Sequence, residues 1–198
     1  MKKVLISMLF LLFSSGIAVA QTQQIVTPEK KDQANVFNDL YCSYGIGSLY
    51  YYINANTNSS WTYTGIGTFI LGYTRSMNKV IGVGFQVAYT PLRATLNSGY
   101  TGSRNYNYLQ ALARIKFQYL NRAVFAMYSG VAIGVAIDYY SESGFEVSNG
   151  SSSKQEISPA GQLTLLGFRV GRRAAFCGEF GIGTLSILNM GFSYKFGE

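Results

Sequence analysis

Val131-Ala132-Ile133-Gly134-Val135-Ala136-Ile137-Asp138-Tyr139 decides how this chain is read. Large apolar residues hold the odd positions and small residues the even ones, and Asp138 falls on the small side. A period of two puts the two sets on opposite faces of a β-strand. The pattern extends back through Phe125 and Met127 on one face and Val124, Ala126, Tyr128 and Gly130 on the other.

The same texture recurs on both sides of this stretch. Leu109, Ala111, Ala113, Ile115, Phe117 and Tyr119 oppose Gln110, Leu112, Arg114, Lys116 and Gln118. Ile81, Val83, Phe85, Val87 and Tyr89 oppose Gly82, Gly84, Gln86 and Ala88. Eight such segments fall at about 40–53, 62–76, 80–90, 105–119, 123–140, 159–170, 174–183 and 187–196. Residues 62–76 and 159–170 change parity midway, which predicts one bulge near Thr68 and another near Leu166.

The connections alternate in length. Met77-Asn78-Lys79, Leu120-Asn121-Arg122 and Gly171-Arg172-Arg173 are tight. Residues 54–61, 91–104 and 141–158 are longer and rich in Ser, Asn, Gly and Tyr, and the last connection, Thr184–Ser186, is short again. Short turns alternating with long loops are the hairpin pattern of a transmembrane barrel.

Composition narrows the class. Charged residues are 13% of the chain, roughly half of the about 25% usual in a soluble domain. Mean hydropathy is only +0.12, and no apolar run after residue 20 is long enough for a membrane helix. Met1-Lys2-Lys3, the apolar stretch Val4–Phe13 and Ala18-Val19-Ala20 have the order of a secretory signal peptide. The expected organisation is a signal peptide at 1–20, a polar linker at 21–39 and a barrel at 40–198. The net charge of +7 is modest, and export excludes nucleic acid as a partner.

The two faces of each strand say which solvent lies outside. A soluble barrel would place its large apolar set inside and coat itself with charge, but charges are too few here to coat anything. The large residues are therefore expected to face lipid, and the small ones to fill a narrow interior. Tyr50, Tyr52, Tyr89 and Tyr139 then fall near the outer strand ends. Tyr73, Phe117, Tyr119, Phe125, Phe176, Tyr194 and Phe196 fall near the inner ends, where aromatic rings suit headgroup depth.

Asn189-Met190-Gly191-Phe192-Ser193-Tyr194-Lys195-Phe196 resembles the terminal-strand signal of bacterial outer-membrane β-barrels: polar, x, Gly, x, x, aromatic, x, aromatic. The resemblance implies that Asn189, Gly191, Tyr194 and Phe196 form a signal read by the barrel-assembly machinery. Gly197-Glu198 follow the final aromatic, whereas many members end on it. Over residues 40–196 the chain is most similar to the small eight-stranded barrels. That family includes anchors, adhesins, narrow pores and a few enzymes.

The chemistry-bearing residues narrow the function further. The chain has no His, which removes Ser-His-Asp and Cys-His hydrolases and His-bearing metal sites. Gly45-Ile46-Gly47, Gly65-Ile66-Gly67, Gly82-Val83-Gly84 and Gly181-Ile182-Gly183 never reach the third glycine of a dinucleotide fingerprint, and read as close packing instead. Cys42 points outward and Cys177 inward, with one strand between them. Two strand spacings, about 9–10 Å, exceed the roughly 7 Å limit for a disulfide, so both thiols are expected to be free and buried. Arg114, Lys116, Asp138 and Glu179 all point inward by parity, either as mutually satisfied ion pairs that plug the lumen or as the lining of a selective pore. The basic residues of the tight turns are expected to meet periplasmic headgroups.

The expectation is thus an all-β, eight-stranded antiparallel up-and-down transmembrane β-barrel in a Gram-negative outer membrane. It is non-enzymatic, with no cofactor or metal. Its leading role is a scaffold that presents loops 91–104 and 141–158 to an extracellular partner. The alternative is a narrow porin-like channel for small polar solutes or ions.

Overall fold

The computed structural model describes residues 36–49, 61–65, 67–96, 103–143 and 153–197. The expected signal peptide, most of the 21–39 linker, Tyr50 and Tyr52 lie outside the described residues, as do the centres of loops 91–104 and 141–158. Among these residues nine strands follow one another: β1 (Asn38–Ile46), β2 (Trp61–Gly65), β3 (Thr68–Ser76), β4 (Ile81–Leu96), β5 (Ser103–Asn121), β6 (Phe125–Ser143), β7 (Ser153–Gly171), β8 (Ala174–Gly183) and β9 (Leu188–Phe196).

Every pairing is antiparallel, and the ring runs β1-β3-β4-β5-β6-β7-β8-β9 and back to β1. β2 pairs with β4 beyond the point where β3 stops, so β2 and β3 form one interrupted stave. The result is a closed eight-stave barrel, as the periodicity predicts. Closure gives each stave a partner on both sides over the lower part of the ring, which a sheet in hydrocarbon requires.

The parity breaks have local causes. Between β2 and β3 the chain passes through Gly67 at φ +116°, where a Cβ would also meet the Tyr44 ring and the Gly45 carbonyl. In β7 the register shifts between Thr164 and Leu166, so Arg169 faces inward. A further irregularity in β5, between Gln118 and Leu120, was not expected from the pattern.

Several boundaries differ from the sequence reading. β1 starts at Asn38 and ends at Ile46, so Asp39 belongs to the barrel wall rather than to the linker. About half of each expected loop, 91–104 and 141–158, is strand: β4 continues to Leu96, β5 begins at Ser103, β6 runs to Ser143 and β7 begins at Ser153. Ser, Asn and Tyr read as loop polarity, yet they also suit strands that have left the hydrocarbon for water.

The staves are unequal. β5, β6 and β7 have 19 residues each, whereas β1 and β9 have 9 and β8 has 10. About 9–11 tilted residues cross a bilayer. The long staves therefore project about 20 Å past the apolar band, given a rise of about 3.3 Å per residue and a tilt of about 40°.

The outer surface is apolar. Ile133 is 69% exposed, Phe192 67% and Phe85 58%, all pointing away from the barrel axis. The buried set is mostly small or polar: Ala88, Ala132, Ala136, Thr68, Thr74, Gln86, Gln110 and Ser193. An exterior like this would aggregate in water and is solvated by lipid. Among the described residues no helix is long and apolar enough to cross a membrane; the strands make the crossing.

Candidate functional site

The interior is filled by two layers of different chemistry. The lower layer is ionic and centres on Arg114 of β5, 3% exposed. Its guanidinium makes an ion pair with Glu179 of β8. It also donates to the Tyr41 hydroxyl of β1 at 2.7 Å and to Gln86 Oε1 of β4 at 3.3 Å. Tyr41 donates in turn to Gln86 at 2.6 Å. Around the ring β8 and β1 each lie three staves from β5, so this one side chain spans the lumen.

Glu179 is held from several sides. It accepts from Tyr128 of β6 at 2.8 Å, from Thr164 of β7 at 3.5 Å and from Asn189 of β9 at 3.4 Å. A buried carboxylate with this many donors is compensated for leaving water. The Arg114 guanidinium also lies 5.3 Å from the Tyr41 ring centre and 5.8 Å from that of Tyr128. Both rings have room because glycines face them: a Cβ on Gly72 would overlap the Tyr41 ring, and one on Gly167 the Tyr128 ring.

Below this lies a second pairing. Lys116 Nζ is 3.8 Å from the Tyr128 ring centre and 3.8 Å from Asp39 Oδ2. Arg169 Nε is 3.7 Å from Asp39 Oδ1 and donates to Ser193 Oγ at 2.8 Å. Its terminal nitrogens cap the carbonyls of Gly171, Arg172 and Arg173 at 2.7–3.0 Å, so it locks the β7–β8 turn from inside.

The upper layer is made by the short connection between β8 and β9. Residues 184–187 fold into the barrel mouth instead of standing above it. Leu185 is 2% exposed and belongs to one apolar cluster with Ile70, Ala88, Leu112, Ala132 and Ala136. Gln162 of β7 holds the loop backbone: its Nε2 donates to the Ser186 carbonyl at 2.8 Å, and its Oε1 accepts from Leu185 N at 3.2 Å. Ser48 donates to the Thr184 carbonyl at 2.5 Å and Gln110 to the same oxygen at 3.4 Å. The loop enters on the low side of the rim, where β7 pairs with β8 only from Gln162 downward.

The expected luminal cluster is therefore corrected. Arg114, Lys116 and Glu179 are brought together, but Asp138 is not. Asp138 sits near the outer end, where it accepts from Ser158 at 3.2 Å and stands opposite Glu156 across the β6–β7 ladder. The acid that faces Lys116 is Asp39, and Arg169 is a further member. Parity across the β7 bulge signals Arg169, and Cys42 facing outward signals Tyr41. Nothing in the polar run 21–39 marks Asp39 as luminal. Leu185 and Gln162 depend on a loop path that no periodicity records.

The terminal-strand residues divide between the two faces. Asn189 is buried and Gly191 faces the Cys42 carbonyl, where a Cβ would collide. Tyr194 and Phe196 are exposed on the lipid side at 51% and 44%. β9 closes the ring against β1, with Tyr194 opposite Leu40 and Phe196 opposite Asn38. Cys42 is exposed and Cys177 buried, and both are free thiols. Among the described residues no group of His, Cys, Asp or Glu is placed to hold a metal.

A closed eight-stave antiparallel barrel, apolar outside and polar inside, defines a transmembrane β-barrel of the small outer-membrane type. No protein-family model matches the chain, and no curated protein does either. Solved structures resemble it in outline. Ail, the attachment invasion locus protein of Yersinia pestis, aligns at 14% identity and a TM-score of 0.48, over 83% of this chain and 100% of that one. The same protein in complex with the heparin analogue sucrose octasulfate aligns at 12% and 0.46. The outer membrane protein OprG from Pseudomonas aeruginosa aligns at 11% and 0.45, over 86% of this chain and 100% of that one.

Proposed function

We propose that the protein is a non-enzymatic, sealed outer-membrane scaffold that carries a tall β-wall and its loops at the cell surface. The observation that carries this reading is the double closure of the lumen, by the Arg114–Glu179 bridge and by Leu185. Gln110, Leu112, Arg114 and Leu185, which lie across the lumen, are each 3% exposed or less, which supports a closed interior. The long staves β4 to β7 support the presenting role, because their length exceeds what crossing requires. In this reading the outer-membrane lipid solvates the wall, and Asn189, Gly191, Tyr194 and Phe196 are read by the assembly machinery. Residues 91–104 and 141–158 are where an extracellular partner docks.

Planar-bilayer recording with the purified full-length protein tests the sealed reading. No steady current is expected at any holding potential. A stable, ion-selective current would favour the narrow channel instead.

A further inference from the structure

Among the described residues, the inner rim of the barrel exposes charge of one sign. Arg75, Lys79, Arg122, Arg172 and Arg173 are all exposed there. They belong to one continuous ring, because hydrogen bonds join each turn to its neighbour: Ser76 N to Phe37 O at 2.9 Å, Gln118 N to Val80 O at 2.6 Å, Gly171 N to Val124 O at 2.7 Å and Lys195 N to Arg173 O at 2.9 Å. Among the described residues the acid nearest this end is Asp39, which is 3% exposed and faces Lys116 and Arg169 inside. No described acidic side chain makes an ion pair with Arg75, Arg122, Arg172 or Arg173. The exposed described acid, Glu156, lies at the opposite end of the barrel, beside Asp138.

Depth is set by the aromatic belt directly above the rim. Phe117 stands opposite Ile81, at the start of β4, and Phe176 opposite Phe192. Tyr73, Tyr119, Phe125, Tyr194 and Phe196 complete the belt. Such rings sit where hydrocarbon meets headgroups; Arg75 is level with Phe196 through Asn38, and Lys79, Arg122, Arg172 and Arg173 lie in the turns beyond the belt. Arg169 holds the carbonyls of Arg172 and Arg173 from inside, which fixes the turn that displays two of the cations.

We propose that this rim is a binding surface for anionic phospholipid headgroups of the periplasmic leaflet. Guanidinium groups match the phosphodiester by paired hydrogen bonds as well as by charge. A ring of them around a barrel would hold an annulus of acidic lipid. The proposal rests on the membrane-spanning reading and adds a lipid preference to it.

The test uses the full-length protein, folded as judged by its heat-sensitive shift on SDS gels, in nanodiscs of mixed phosphatidylcholine and phosphatidylglycerol. Native mass spectrometry of the released protein counts the lipids that stay bound. The expected result is about twofold or greater enrichment of phosphatidylglycerol over its share in the disc. The enrichment should fall toward the mixing ratio as salt rises from about 0.1 M to about 1 M, where the Debye length shrinks from about 10 Å to about 3 Å. It should also fall in the Arg75→Gln/Arg122→Gln/Arg172→Gln/Arg173→Gln protein, and be kept only in part when the same four positions become Lys, which keeps the charge and loses the paired hydrogen bonds. Should the fourfold Gln variant fail to fold, Arg172→Gln with Arg173→Gln alone is expected to lower the enrichment in part. Insertion with no preference, or a preference that ignores these substitutions, overturns the rim proposal alone. Failure to insert into any disc overturns the membrane reading with it.

Discussion

The two layers inside this barrel reach the same end by opposite means. The lower layer places three cations, Arg114, Lys116 and Arg169, around two carboxylates, Glu179 and Asp39. The upper layer contains no charge: Leu185 sits among alanines and aliphatic side chains while Gln162 holds its backbone. Arg114 and Glu179 can be buried because staves on every side supply donors and acceptors, whereas Asp39 is balanced by Lys116 and Arg169 at 3.7–3.8 Å. At the mouth the wall is low, because β8 ends at Gly183, and a folded-in loop brings Leu185 into the interior there. The layers should therefore fail differently, the ionic one through stranded charge and the apolar one through an empty cavity.

The largest effect is expected from Glu179→Ala. It leaves Arg114 buried with only neutral partners, at a cost of about 3–5 kcal/mol, read as a lower urea midpoint for unfolding in lipid or detergent. An unchanged midpoint would mean that water already reaches Arg114 and that the ionic layer is not dry. Leu185→Ala should cost less, about 2–3 kcal/mol, because the loop can settle part of the way into the space left behind. A loss as large as that of Glu179→Ala would reverse the ranking of the two layers.

Gln162→Ala comes next, at about 1–2 kcal/mol, since it strips partners from the Ser186 carbonyl and Leu185 amide inside the mouth. The smallest effect belongs to Asp138→Asn. Asp138 stands apart from the ionic layer and opposite Glu156, so the change should stay within about 0.5 kcal/mol and relieve like-charge repulsion. A large loss there would return Asp138 to the luminal network that parity alone had suggested.

Much of this was legible in the chain because a membrane wall imposes one rule on every stave. Ile133, Val135 and Ile137 had to alternate with Ala132, Gly134 and Ala136, whatever the rest of the protein does. The same rule placed Arg114, Lys116 and Glu179 inside and both bulges near their observed positions. It fails where the hydrocarbon ends. Pro91–Leu96 and Ser153–Ser158 remain strand in water, where turn-like composition no longer forbids one. Asp39 was lost because polar residues on both sides of a strand start look alike. Leu185 was lost because the inward path of residues 184–187 is set by Gln162 and Ser48, which are distant in sequence.

Cys177 offers the most direct test of the sealed lumen. It faces inward on β8, 6% exposed and two residues from Glu179, while Cys42 lies on the lipid side. In a Cys42→Ser protein folded in vesicles, a membrane-impermeant maleimide should leave Cys177 unlabelled until the barrel is unfolded. It should react in the folded state once Glu179→Ala and Leu185→Ala are combined. Prompt labelling of Cys177 in the otherwise unaltered barrel would show an open aqueous path and contradict the closed interior.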